Sequence, residues 1–174
     1  MPTSIPTFAE LLAKTSHHAL HLEMRDVYGV ESEDSAFAEW KRGGSRDFSD
    51  RSSWWSGFHQ TVADGVSRGV QVRRARVVSE PVSEYIRFEH AGTVKNLAAG
   101  EEVRWLPRSR ASDLLLPGND VWIFDNYALK YGLFDGDGRH VGGQMVYDPE
   151  AVDRCLTAFN AVWERATPHS EYEL

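Results

Sequence analysis

The alternation of apolar and polar positions divides the chain into helical and extended stretches. Thr7-x-x-Glu10 forms a capping-box pattern ahead of Phe8, Leu11 and Leu12, which predicts a first helix. His21 to Asp26 alternates and suits a short strand or an extended exit. A second helix is expected over Ser35–Arg42, closed by Gly43-Gly44, and a polar loop follows from Ser45 to Ser53. Trp54, Trp55, Phe58, Val62 and Val66 repeat at helical spacing, with Gly69 where a C-terminal cap belongs. The pattern then changes. Val70–Val78 is rich in β-branched residues and reads as a strand. Pro81 opens a predicted helix whose face carries Val82, Tyr85, Ile86 and Glu89. Glu102–Leu106 is a short strand stopped by Pro107. After a loop from Ser109 to Asn119 come three strand-like runs, Val121–Asp125, Tyr127–Phe134 and His140–Tyr147. Asp135-Gly136-Asp137-Gly138 makes a hairpin turn between the last two. Asp148 caps a final helix with Pro149 in its first turn and a stripe of Val152, Cys155, Leu156, Phe159 and Trp163.

This order predicts an α/β fold, a mixed sheet covered by helices. At 174 residues one domain is expected over 1–174. A mostly helical part (1–68) would pack on a sheet-and-helix core (69–166). Residues 1–6 and the tail 167–174, with Glu171 and Glu173, are expected to be frayed and solvated. The hydrophobic and charged fractions, 41% and 26%, are those of an ordinary globular domain. A single cysteine, Cys155, forbids an intrachain disulfide. No leader-like segment and no long apolar run is present, so a cytoplasmic protein is expected. A formal charge of −7 argues against broad nucleic-acid binding, because that binding works by neutralising phosphates.

Three runs carry a family resemblance: Arg73 to Pro81, Ala99 to Pro107, and Leu116 to Asp125. Through them nearly the whole chain resembles an actinobacterial family of unknown function often associated with helix-turn-helix regulators, which implies a regulatory setting. A second resemblance covers residues 65–166, whose element order is similar to one half of a phospholipase-D-type domain with an N-terminal helical extension. In active members of that family a strand carries His-x-Lys-x-x-x-x-Asp, with the His as nucleophile and the Lys holding phosphate. Asp125 takes the place of that Asp, and Asp148-Pro149 with Trp163 fits the close of the motif. Gly118 stands where the His belongs and Asp120 where the Lys belongs. A glycine cannot attack phosphorus and an aspartate repels phosphate, so the resemblance implies that phosphodiesterase chemistry is lost.

The candidate residues each have a bland reading beside the functional one. Arg74 and Arg76 share a strand face with Val70, Val72 and Val78, while Arg73 lies on the other face. Either they are paired within the sheet, with Glu80, Glu89 or Asp125 as partners, or with Arg104 and Arg108 they bind an acidic ligand or a partner's acidic face. Arg25, Asp26 and Tyr28 could finish a pocket, though a structural Arg–Asp network is preferred. His17 and His21 would share a helix face and could bind a metal, yet no third ligand is well spaced beyond the nearby Glu23. Asp135-x-Asp137 lacks the downstream glutamate of a calcium loop, since that position is Val146. Cys155 on an apolar stripe reads as an inert buried thiol.

The expectation is therefore a non-catalytic binding or regulatory domain, acting with a transcriptional regulator or sensing a small ligand. Its binding set is Arg74, Arg76, Glu80, Tyr85, Arg108, Asp120, Trp122 and Asp125, with Trp40, Trp54, Trp55 and Trp105 as interface anchors. No metal, cofactor, membrane or direct nucleic-acid contact is expected, and a homodimer is open. The alternative is a small enzyme of specialised metabolism, with His59, His90 and His140 and Glu80 or Asp120 as raw material for acid–base work.

Overall fold

The computed structural model describes residues 5–43 and 46–174. The expectations for residues 1–4 and for Gly44 and Ser45 fall outside them. The elements are α1 (Phe8–Lys14), β1 (His18–Glu23), α2 (Asp34–Lys41), α3 (Gly57–Ser67) and β2 (Gln71–Val78), then α4 (Glu84–Gly92), α5 (Val94–Ala98) and β3 (Glu102–Pro107). They continue with β4 (Val121–Phe124), β5 (Ala128–Phe134), β6 (His140–Val146), α6 (Pro149–Arg165) and β7 (Thr167–Pro168). The strands form one seven-stranded sheet in the order β6-β5-β4-β1-β2-β3-β7. β1, β2 and β3 run parallel, and the pairs on either side of them are antiparallel.

Local chemistry accounts for several boundaries. The Thr7–Glu10 capping box starts α1, as its spacing predicts. Asp148 accepts from the Glu150 amide and Pro149 fills the first position of α6. The Asp135–Gly138 turn closes the β5–β6 hairpin, with the Asp135 amide donating to Arg139 O at 2.9 Å and Gly138 at a positive φ of 83°.

Five expectations are corrected. Trp54 and Trp55 do not begin α3; they follow a short turn at Arg51–Ser53, and Ser56 caps the helix instead. Pro81 does not open α4. It follows a cis peptide bond after Glu80, and Ser83 caps a helix that begins at Glu84. The tail is not frayed, although Glu171 and Glu173 are exposed as expected: Thr167 and Pro168 pair with β3, and Tyr172 is buried against Trp105, their rings stacked at 5.6 Å. Trp105 is itself fully buried, so it is core rather than an interface anchor. Finally, residues 1–68 are not a helical layer added to a finished sheet, because β1 lies in the middle of it, between β4 and β2.

Strand alternation gives the sheet two unlike faces. One carries Leu20, Leu22, Ala75, Val77, Leu106, Val121 and Ile123 and is covered by Val152, Cys155, Phe159, Val162 and Trp163 of α6. The other is divided. At one end α1 and α3 pack on Ala19, Val72 and Phe124. On the far side α4 packs on Val78, Val103 and Trp105, with Phe37 and Trp40 of α2 over it. Between these apolar patches the sheet presents His21, Glu23, Arg74, Arg76 and Trp122. The helices straddle this polar strip and leave it uncovered by apolar packing.

Candidate functional site

The parallel register sets the strip out in rows. His21 lies opposite Arg74, Glu23 opposite Arg76, and Trp122 opposite His21 from the other side. Arg74 donates to Glu23 and to Glu101, each at 2.7 Å. Arg76 reaches Glu89 at 2.7 Å. Its second contact, Nη1 to Glu23 Oε2 at 3.0 Å, is an ion pair without hydrogen-bond alignment. Asn96 donates to the second oxygen of Glu101 at 2.7 Å. The Arg76 side chain is 4% exposed and that of Glu101 0%, so this is a buried ionic network. Burial works against the charge of both arginines. The surrounding carboxylates, Glu101 and Glu23 for Arg74 and Glu23 and Glu89 for Arg76, outweigh it and hold both firmly protonated.

A cleft of about 500 Å³ opens above this network. Its walls are aromatic: Phe8, Tyr28, Tyr85, Trp122 and Phe134. The imidazole of His21 lies flat on Trp122, centroids 4.1 Å apart. Burial and the two neighbouring arginines push the His21 pKa well below its usual value, so the ring is neutral. Its Nδ1 is 3.6 Å from Glu23 Oε1, beyond hydrogen-bond reach. At the rim, the Tyr28 hydroxyl donates to Asp120, which also accepts from the Met24 amide at 2.9 Å. Burial raises the Asp120 carboxyl to about 6. The Tyr85 hydroxyl donates to Glu33 at 2.6 Å, and burial followed by the nearby Glu89 raises the Glu33 carboxyl above its usual range.

Arg74, Arg76, Tyr85, Asp120 and Trp122 of the expected binding set thus line one cleft. The other three do not. Asp125 sits at the opposite end of β4 from Asp120 and accepts from the amides of Ser16, His17 and His18 at 2.8 to 2.9 Å. Burial opposes its charge, but those three amides outweigh it and hold its carboxyl below the usual value. Asp125 also adopts a left-handed φ of 44°, which Asp tolerates better than most residues. Glu80 is exposed and accepts from the Tyr172 hydroxyl at 2.7 Å. Arg108 donates to the carbonyls of Met24 and Val77 and to Ser79 Oγ, tying the ends of β1 and β2 together. Asp26 is likewise structural, holding Ser79 through its amide and hydroxyl at 2.7 and 2.6 Å. The arginines are also not free to bind an acidic ligand here, since Glu23, Glu89 and Glu101 already take them.

Tyr28, weighed in the sequence as a residue that could finish a pocket, lines the cleft, while His21, Glu23, Glu33 and Phe134 were missed as members of it. A signal existed in His21-x-Glu23 and Arg74-x-Arg76, two alternating polar pairs in otherwise apolar strands. It becomes readable only once β1 is known to pair with β2. Among the described residues no cluster of three or more His, Cys, Asp or Glu could hold a metal ion, and no helix is long and apolar enough to cross a membrane.

Residues 6–174 match the family described as a domain of unknown function, DUF6879. The chain belongs to that family. No curated protein matches it. Among solved structures, Nuc from Salmonella typhimurium, a phospholipase D family member, is similar with a TM-score of 0.50 at 10% identity, over 92% of this chain and 86% of that one. The family member therefore has a phospholipase-D-like fold, and the likeness covers 92% of the chain, well beyond residues 65–166. TrmBL2, an archaeal chromatin protein with a novel mode of DNA binding, aligns with a TM-score of 0.49 at 16% identity, over 91% of this chain and 48% of its own. The chain thus spans about half the length of TrmBL2.

Proposed function

We propose that this DUF6879 domain binds a small planar molecule in the aromatic cleft and has no catalytic machinery of its own there. One observation carries the reading. The cleft sets the rings of Phe8, Tyr28, Tyr85, Trp122 and Phe134 around a polar floor of His21 and the paired charges of Glu23, Arg74 and Arg76. A concave, mostly aromatic site with a few polar groups at its base is the usual form of a small-molecule pocket. Trp122 and Tyr28 supply the apolar surface such a ligand needs. Glu23, Glu33, Glu89 and Asp120 line the cleft while its two arginines are already paired, which favours a neutral or cationic ring system over an acidic one. Partnership with a helix-turn-helix regulator, the setting implied by the family resemblance, would be the output of such binding. Pull-down from the native cell that brings down no regulator would count against it.

The test uses indole and tryptamine, a neutral and a cationic probe, titrated into the whole chain by calorimetry. Saturable binding of either, weakened about tenfold in Trp122→Ala, is the expected result. Absence of binding by both probes, or binding indifferent to Trp122→Ala, would overturn the reading.

An enzyme is the second reading. Asp120 favours it, as a cleft carboxyl raised to about 6 by burial. Against it, both oxygens of Asp120 are engaged by Met24 and Tyr28, and His21, the histidine beside Glu23, is out of hydrogen-bond reach of it.

A further inference from the structure

Behind the ionic network lies a second cavity of about 490 Å³, whose wall shares Glu33, Arg74, Arg76 and Glu89 with the first. Its own lining is different: Arg46, Lys95, Asn96, Ser56 and His59, with Trp54 and Phe58 as aromatic surface. The charges do not balance. Arg74 and Arg76 are spent on Glu23, Glu89 and Glu101. Glu33 accepts from Tyr85 and is raised by burial, which favours its neutral form. That leaves two half-buried cations, and among the described residues neither has a carboxylate within ion-pair distance. Arg46 rests on the ring of Phe88, 4.5 Å from its centroid. A Cβ on Gly92 would stand 3.1 Å from Arg46 Nη1 and press on that guanidinium. Burial, and then Arg46, lower the Lys95 pKa, and the more distant Glu89 and Glu33 offset this only in part. His59 is lowered by burial and then by Lys95. Two like charges held together at a desolvating wall are unfavourable unless something negative joins them.

We propose that this second cavity is a site for a small organic anion, with its charged group on Lys95 and Arg46 and its apolar body against Trp54 and Phe58. The carboxylate or phosphate would supply the counter-charge that both cations lack, and the aromatic side chains would select a ring-bearing body over a bare inorganic ion. Asn96 is committed to Glu101, so it adds polarity rather than a free donor. Ser56 and His59 face each other at 2.9 Å as a helix cap, which accounts for that pair without chemistry. The site does not depend on the first cleft: different side chains carry it, and it calls for the opposite charge.

The probe is indole-3-acetate, the anionic counterpart of tryptamine, titrated into the whole chain by calorimetry. Saturable binding is expected, weakened about tenfold or more in Lys95→Met and in Arg46→Gln, and changed less than about twofold in Trp122→Ala. Gly92→Ala keeps both charges but crowds Arg46, and it should weaken indole-3-acetate while far-ultraviolet circular dichroism stays that of the parent. Binding unaffected by the Lys95 and Arg46 substitutions overturns the proposal, and so does no saturable binding at all. Loss of indole-3-acetate binding in Trp122→Ala alone would place the anion in the first cleft and overturn it too. If tryptamine fails to bind while indole-3-acetate binds in a Lys95-dependent way, only the reading of the first cleft falls.

Discussion

Two neighbouring arginines show how much a residue's face decides. Arg73 and Arg76 stand on opposite sides of the same strand. Arg73 pairs with Glu102 at 3.1 Å, with side chains 30% and 52% exposed. Arg76 is almost wholly buried between Glu23 and Glu89. Replacing Arg76 by Met leaves the half-buried Glu89 without its arginine and Glu23 with Arg74 alone, and is expected to cost about 3–5 kcal/mol. The same change at Arg73 loses a solvated pair and should cost about 1 kcal/mol or less. Urea denaturation of the two variants checks the difference, and equal costs would show that the buried network is not what holds β1 to β2. Asp120 offers a pH test at the same scale. Its folded carboxyl is raised to about 6, above the unfolded value of about 3.9. The folded chain therefore holds the extra proton between those values. The stability it confers is full below about pH 4 and is lost as pH rises through about 6. Asp120→Asn should remove that part of the slope from a plot of stability against pH. An unchanged slope would mean that Asp120 does not titrate in this window.

At the scale of elements, the C-terminal segment is the clearest departure from its sequence. Nothing in Thr167 to Leu174 alternates or repeats, and its polar composition reads as solvent-exposed. It is fixed by contacts from elsewhere. Trp105 Nε1 donates to His169 Nδ1 at 3.1 Å, His90 Nε2 meets Tyr172 O at 3.1 Å, and the Tyr172 ring covers Trp105. Burial, then His90 and Arg76, push His169 down to about 4. A protonated Nδ1 cannot accept from Trp105, so charging His169 breaks the clasp. The sign is opposite to that of Asp120. His169 is depressed below its unfolded value of about 6.5, so its contribution is present above that pH and is lost as pH falls towards about 4. Hydrogen exchange along β3, taken relative to the intrinsic rate at each pH, should rise over that interval in the parent. In His169→Gln, whose amide oxygen can accept at any pH, it should stay flat; a parallel rise in both would exclude the histidine as the cause. By contrast α1, the β5–β6 hairpin and α6 were legible from sequence, because each is decided by residues within a few positions: a capping box, an Asp-Gly turn, and a capped amphipathic stripe.

At the scale of the whole molecule, the sheet is the element that sequence resolves least. An α/β fold with helices over a mixed sheet follows from the order of periodicities, and the expected resemblance to the phospholipase D fold agrees with the likeness to Nuc. Strand order does not follow, because pairing between β1 and β2 joins residues some fifty positions apart, and neither strand's own pattern names its neighbour. The candidate site inherits that limit. Arg74, Arg76, Tyr85, Asp120 and Trp122 were within reach because each is an unusual side chain in an apolar or structured stretch. Their company in the cleft, and the misplacement of Glu80, Arg108 and Asp125, were settled by which strand ends meet.

The sequence by itself therefore determined what local chemistry controls: element types, caps, the hairpin turn and the alternating faces of β2. The tertiary structure decided the use made of the charges. Coulomb energy and desolvation depend on distances between atoms that the chain brings together only on folding. Arg74 and Arg76, legible as a basic pair, become the saturated centre of a network, while Lys95 and Arg46, unremarked in the sequence, are left without counter-charge at a cavity wall.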